Sequence, residues 1–257
     1  MAADPQPMES RRVPLPSQWE RLGEGTLSAE AGVRDRALRV HDTLRDFYGP
    51  AAPRPLQDPL SELVQTILSQ NTADINSDRA YASLVLRFGG DWSAVQGAPV
   101  GDVVDAIRIG GLAEIKAARI QTILSSIVER LGELDLSFLR AMPLEEGREF
   151  LRSLNGVGPK TAACVLLFAC GKPAMPVDTH VHRVSQRLGI VPPKANAEHA
   201  HAILEGLIPP ELVYSFHMML ITHGRQICKA QRPRCPDCPV AHLCDYPAKT
   251  QPAGSTA

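Results

Sequence analysis

Apolar residues in this chain recur at helical spacing. Leu60, Leu63, Val64, Ile67 and Leu68 fall at i, i+3, i+4, i+7 and i+8, the positions of one buried stripe. Asp58-Pro59 just before them marks the start, a side-chain cap followed by proline at the first helical position. Ile120, Ile123, Leu124, Ile127, Val128 and Leu131 make a second stripe. Val33, Leu38, Leu44 and Phe47 predict a helix over 30–48. Gly49-Pro50 and the prolines that follow break it, while Gly89-Gly90, Gly110-Gly111 and Pro143 punctuate shorter helices. No run alternates with a period of two, so the expected fold class is all-α. Residues 1–29 are rich in Pro, Ser, Glu and Arg without period, which predicts a disordered N-terminal tail. Residues 248–257 predict a second tail.

At 257 residues the chain has room for one large domain or two modest ones. Aromatic residues are 5% against 44% apolar, which suits a helical core of Leu, Ile, Val and Ala. The 27 basic and 28 acidic residues nearly cancel, so nucleic-acid binding here requires a local basic patch. No stretch is long and apolar enough to span a membrane. The opening Met-Ala-Ala-Asp-Pro-Gln-Pro has no basic start followed by an apolar run. That argues against a secretory signal and for a cytoplasmic protein with reduced thiols.

The densest chemistry lies near the C-terminus. Cys228, Cys235, Cys238 and Cys244 are separated by six, two and five residues. Four thiolates this close can ligate one metal centre. An iron–sulfur cube takes four cysteines, and structural zinc takes four as two close pairs. Only one short gap occurs here, so the loop is expected to wrap one compact object. Disulfides are disfavoured in a chain that nothing marks as secreted. Cys164 and Cys170 lie on an apolar segment and are expected in the core.

Two further segments carry polar residues at helix starts. Leu154-Asn155-Gly156-Val157-Gly158-Pro159-Lys160-Thr161 separates an amphipathic segment from an apolar helix. Gly-x-Gly permits a tight hairpin because glycine tolerates positive φ. Its free N–H groups, with the start of the next helix, can cradle a phosphate. An ordinary helix–helix turn and a solvated lysine would leave the same local pattern. In Pro176-Val177-Asp178-Thr179-His180, Asp178 follows a proline-rich break and precedes Val181, Val184 and Leu188 on one helical face. It is an N-cap candidate whose carboxylate backbone N–H groups would hold rigid.

Together, the cysteine loop with His223-Gly224-Arg225 ahead of it, the Gly-x-Gly hairpin and the Val-Asp-Thr-His segment resemble the endonuclease III family of helix–hairpin–helix DNA glycosylases. The resemblance implies a [4Fe-4S] cluster on the four cysteines, Lys160 as nucleophile and Asp178 as catalytic carboxylate. It also implies two lobes: a helical barrel of residues 52–172 carrying the hairpin, and a cluster lobe of residues 30–51 and 173–247. The active site would lie in the cleft between them. Asn71, with Gln70 beside it, takes the place of a residue that fills the gap left by an extruded nucleotide. Leu112, after Gly111, resembles the second wedge. Gly156, Gly158 and His180 would contact DNA. Lys229, Arg232 and Arg234, in the first cysteine gap, would offer cations to phosphates. Asn155 and Pro159 replace the proline and arginine common in the family's hairpin, at the loss of one phosphate contact.

The implied function is a bifunctional DNA glycosylase and AP lyase, a monomer acting on duplex DNA with oxidised pyrimidines or abasic sites. Three alternatives remain at this stage. An adenine glycosylase would use a glutamate in the first barrel helix, and the aligned residue here is Thr66. A thymine or uracil mismatch glycosylase shares the fold. A non-catalytic iron–sulfur DNA-binding protein would not need Lys160 and Asp178 together.

Overall fold

The computed structural model describes residues 25–246, and its regular elements are all helical, with no strand among the described residues. Helix α1 (Gly25–Tyr48) is followed by α2 (Pro59–Ser69), α3 (Asp74–Phe88), α4 (Trp92–Gly97), α5 (Val100–Ile107) and α6 (Ala113–Leu131). Then come α7 (Leu144–Arg152), α8 (Pro159–Phe168), α9 (Thr179–Arg187), α10 (Ala197–Leu207) and α11 (Val213–Gln226). The expected all-α class holds. Helix α2 starts as its sequence dictates: Asp58 accepts a hydrogen bond from Ser61 N at 2.8 Å, with Pro59 in the first position.

The start of α1 needs a correction. It begins at Gly25, inside the segment expected to be a tail. The rest of that tail, and the tail expected at 248–257, lie outside the described residues. The buried stripe of α1 is also not the expected one. Ala37, Val40, His41 and Leu44 are buried, and Phe47 is 55% exposed. Those four fall at i, i+3, i+4 and i+7. A small Ala and a polar His carry little weight in a search for large apolar side chains. His41 is accommodated because its Nε2 lies 2.8 Å from Ser215 Oγ on α11.

Buried apolar residues form two separate clusters. The first runs from Leu60 to Ala174 and includes the stripes of α2 and α6. The second combines Ala37, Val40 and Leu44 with residues from Leu167 to Leu243. The chain therefore leaves the second cluster after α1, builds the first, and returns. Ion pairs join the two. Arg148 on α7 donates to both carboxylate oxygens of Glu205 on α10, at 3.0 and 2.9 Å. Glu205 also accepts from Met175 N at 2.7 Å. Arg152 pairs with Glu198 at 2.9 Å, and Arg225 with Asp74 at 2.6 Å.

Candidate active site and cysteine loop

The starts of α8 and α9 carry charges that act on the same two buried groups. Buried Leu151 and Leu154 anchor the hairpin that joins α7 to α8. Gly156 turns it with φ +90°, and a Cβ there would stand 3.0 Å from Arg119 Cδ. Gly158 is different. It is extended at φ −88°, ψ 176°, and a Cβ there would meet nothing within 4 Å. Positive φ is thus required at Gly156 alone. What Gly158 does is cap α8 without a side chain. The first turn of α8, opened by Pro159, is left with N–H groups that no side chain satisfies, an arrangement that suits an anion.

Lys160 is the second residue of α8 and half-buried. Its amine has no hydrogen-bond or ion-pair partner among the described residues. Asp178 caps α9 and is also half-buried. Its Oδ1 accepts from Val181 N at 2.7 Å, which fixes the carboxylate and leaves Oδ2 without a protein donor among the described residues. The charges of Lys160 and Asp178 both reach two buried groups between the helices. Burial pushes the Cys164 thiol up to about 11, and Lys160, Glu62 and Asp178 act on it as well. Burial pushes the His217 imidazole down to about 4, with Asp178 and Lys160 again acting on it. His217 is fixed by a 2.9 Å contact from Nδ1 to Pro176 O. A buried neutral thiol and a buried neutral imidazole therefore lie within reach of the charges of both Lys160 and Asp178.

Glu62 escaped the sequence reading. It is 5% exposed on α2, accepts from Thr66 Oγ1 at 3.2 Å and lies 3.5 Å from Arg54 Nη2. Burial holds its carboxyl above the usual range. A signal existed: α2 is buried on nearly every side, so a charged residue within it must face protein.

Gln70 and Asn71 part company. Gln70 turns inward, accepting from Arg119 Nη1 at 2.5 Å and donating to Thr161 Oγ1 at 3.2 Å, beside Lys160. Asn71 is exposed at φ +53°. Leu112 shares that φ and is 50% exposed. Asn tolerates the left-handed region; leucine does so only at a cost of about 1–2 kcal/mol. An exposed apolar side chain on a strained backbone points to a function outside folding.

The four cluster-loop cysteines line one cavity of about 1140 Å³, together with Val184, Leu188, His223 and Val240. No three His, Cys, Asp or Glu side chains among the described residues converge on a point that one metal ion could occupy. The four thiols are free and line one cavity, the donor set that a four-iron cluster takes. Two arginines that the sequence reading passed over fasten this loop to α9. Arg183 donates to Cys228 O and Gly224 O, both at 3.0 Å. Arg187 donates to Lys229 O at 2.8 Å and to Ala230 O at 3.1 Å, and its Nη1 lies 3.4 Å from Cys228 Sγ. They sit four residues apart and share one helical face.

His180, in the first turn of α9, accepts from Arg183 Nη2 at 3.1 Å. It packs so tightly on α11 that a Cβ at Gly224 would stand 3.0 Å from it. Arg232 is exposed at φ +50°. Arg234 is paired with Asp237 at 2.7 Å, so its charge is partly neutralised. Lys229 offers its carbonyl inward to Arg187.

The chain is similar to known proteins over most of its length. Residues 64–210 match the HhH-GPD superfamily of base excision DNA repair proteins. Endonuclease III of Thermotoga maritima is 35% identical over 189 residues, which cover 74% of this chain and 84% of that protein. An Arabidopsis thaliana protein designated a candidate DNA glycosylase is 39% identical over 196 residues; the match spans 72% of this chain and 66% of the plant protein. A solved non-covalent endonuclease III–DNA complex superposes with a TM-score of 0.72 at 29% identity, covering 83% of this chain and 95% of that one. On these grounds the chain belongs to the endonuclease III family of helix–hairpin–helix DNA glycosylases.

Proposed function

We propose that the protein is a bifunctional DNA glycosylase and AP lyase that removes oxidised pyrimidines from duplex DNA. The observation that supports this reading is that Lys160, in the first turn of α8 with no partner among the described residues, and Asp178, the cap of α9, both act on buried Cys164 and His217. A base stacked in a duplex hides C1′, so the nucleotide must first leave the helix. Asn71 and Leu112 stand ready to fill the gap. Lys160 Nζ then forms a bond to C1′ as the C1′–N bond breaks, and the base departs with that electron pair and a proton. Asp178, held by Val181 N, stabilises the positive charge that develops on the sugar. Opening of the sugar ring gives an imine between Lys160 and C1′. Loss of a C2′ proton then expels the 3′ phosphate and nicks the strand.

Cys228, Cys235, Cys238 and Cys244 would hold a [4Fe-4S] cluster, which supplies a rigid brace for the loop bearing Lys229, Arg232 and Arg234. The α8 N-terminus and this loop would grip phosphates on either side of the lesion.

Borohydride trapping on abasic duplex DNA tests the assignment. The wild type is expected to form a covalent adduct and a nick, and Lys160→Gln neither, while still binding abasic DNA at matched salt. An adduct with Lys160→Gln would move the nucleophile to another amine. A wild type that excises bases without ever forming an adduct would make the protein a monofunctional glycosylase.

A further inference from the structure

Lys116 is the largest fully buried side chain among the described residues, at 2% exposure, and the reaction described above does not use it. It lies in the first turns of α6, just after Leu112. Its ammonium donates three hydrogen bonds: to Leu68 O at 2.7 Å, to Thr72 Oγ1 at 2.5 Å and to Gly110 O at 3.0 Å. Thr72 Oγ1 in turn donates to Gly110 O at 2.6 Å. All three N–H bonds of the amine are used, so its charge is fully solvated by protein.

The three acceptors have a particular placement. Leu68 and Thr72 bracket the loop that carries Asn71; Gly110 opens the loop that carries Leu112. These two loops are 38 residues apart in the chain along the Thr72–Gly110 bond. Both bear their exposed residue at φ +53°. Asn71 tolerates that conformation, whereas Leu112 holds it only at a cost that a free loop would relax. Two loops joined by one ammonium and one hydroxyl behave as a single body.

We propose that Lys116 and Thr72 are positioning residues that lock the Asn71 and Leu112 loops into one prefolded wedge. They act through those loops and touch neither DNA nor the reacting atoms. A wedge ordered before it meets DNA has little conformational entropy left to lose on insertion. Its effect belongs to duplex DNA alone, because a single strand has no opposite base to displace and no stack to refill. The proposal rests on the reading of Asn71 and Leu112 as gap-filling residues, but not on the chemistry of Lys160.

The test uses a duplex with tetrahydrofuran, an uncleavable abasic sugar, opposite the fluorescent base 2-aminopurine. Wild-type protein should raise the fluorescence as the wedge unstacks the opposite base. Thr72→Val removes the bridging hydroxyl at nearly constant volume, and Thr72→Ser restores it. At saturating protein, Thr72→Val should lose at least half of the fluorescence rise and about tenfold in affinity for this duplex. Its affinity for the tetrahydrofuran strand alone should change less than about twofold. Thr72→Ser should match the wild type. Lys116→Met should behave as Thr72→Val or worse, and if it fails to fold the threonine pair still decides. Full fluorescence with Thr72→Val, or an equal loss on duplex and single strand, would overturn the proposal. No covalent adduct from wild type in the trapping assay, with this fluorescence pattern intact, would sink only the lyase assignment.

Discussion

Single residues in this site divide the work by environment. Asp178 and Glu62 are both carboxylates near Lys160, yet one is half-exposed with a free oxygen and the other is buried against Thr66 and Arg54. Asp178→Asn keeps a helix cap of similar quality, so stability should move by no more than about 0.5 kcal/mol. Single-turnover base excision should fall about a hundredfold, while affinity for an abasic analogue stays within about twofold. Binding lost in step with turnover would leave Asp178 a cap and nothing more. Glu62 gives a pH signature. Its raised carboxyl means that the folded state favours the protonated form. The ionised form therefore weakens the fold as pH climbs from the unfolded value of about 4.3 toward the higher folded one. Glu62→Gln should melt above the wild type at about pH 8 and converge with it near about pH 4. Thermal melts at stepped pH check this; a gap that opens toward acid would contradict it. Lys160 and Asp178 were legible in sequence because each sits in a short contiguous motif. Lys116 and Arg119 were not, because their meaning lies in distant partners. Lys116 meets Leu68 across 48 residues, and Gln70 meets Thr161 across 91.

At the scale of elements, helix starts did more to define the site than helix bodies. The caps Asp58 and Asp178 were readable because a cap is a local bond over three residues. The hairpin was readable as a turn, but the two glycines look alike in sequence and differ in structure. Gly156→Ala must adopt φ +90° and push Arg119 aside, which should cost about 1–2 kcal/mol. Gly158→Ala meets open space at an ordinary φ and should change stability by less than about 0.5 kcal/mol. Chemical denaturation of the two variants separates them. Equal losses would mean that the hairpin needs small residues for another reason. The true stripe of α1 was hidden for a similar reason: His41 reads as polar until Ser215 supplies its partner.

Across the whole molecule, 27 basic and 28 acidic residues leave no general attraction for DNA. Affinity should nevertheless fall steeply with salt on the proposal that the cysteine loop presents its cations to phosphates. Arg232→Ala should lower the salt slope by about 0.9, the share of one phosphate contact. Arg234→Ala should lower it less, since Asp237 already holds its guanidinium. Equilibrium binding at several salt concentrations measures both, and an unchanged slope for Arg232→Ala would turn this loop toward solvent. Purified protein should carry four irons and be yellow-brown, and Cys235→Ala should cost iron and soluble yield. Cys164→Ala should not cost iron, since Cys164 is buried beneath the active site and outside the cysteine loop.

The path of the chain through its two apolar clusters also sets a timetable. Helix α1 is synthesised long before its partner α11: Tyr48 and His223 meet across 175 residues. Contacts of that span form slowly, because a long loop must close before they reward it. Lys160 is synthesised before Asp178, and its neighbours Val157, Ala162 and Ala163 belong to the cluster that can close early. Asp178 takes its place only with the cluster that must wait for α11 and the cysteine loop. A nascent or clipped chain thus carries the amine without its carboxylate. On the proposed roles of Lys160 and Asp178, a chain that has not yet closed its second cluster holds only half of its site.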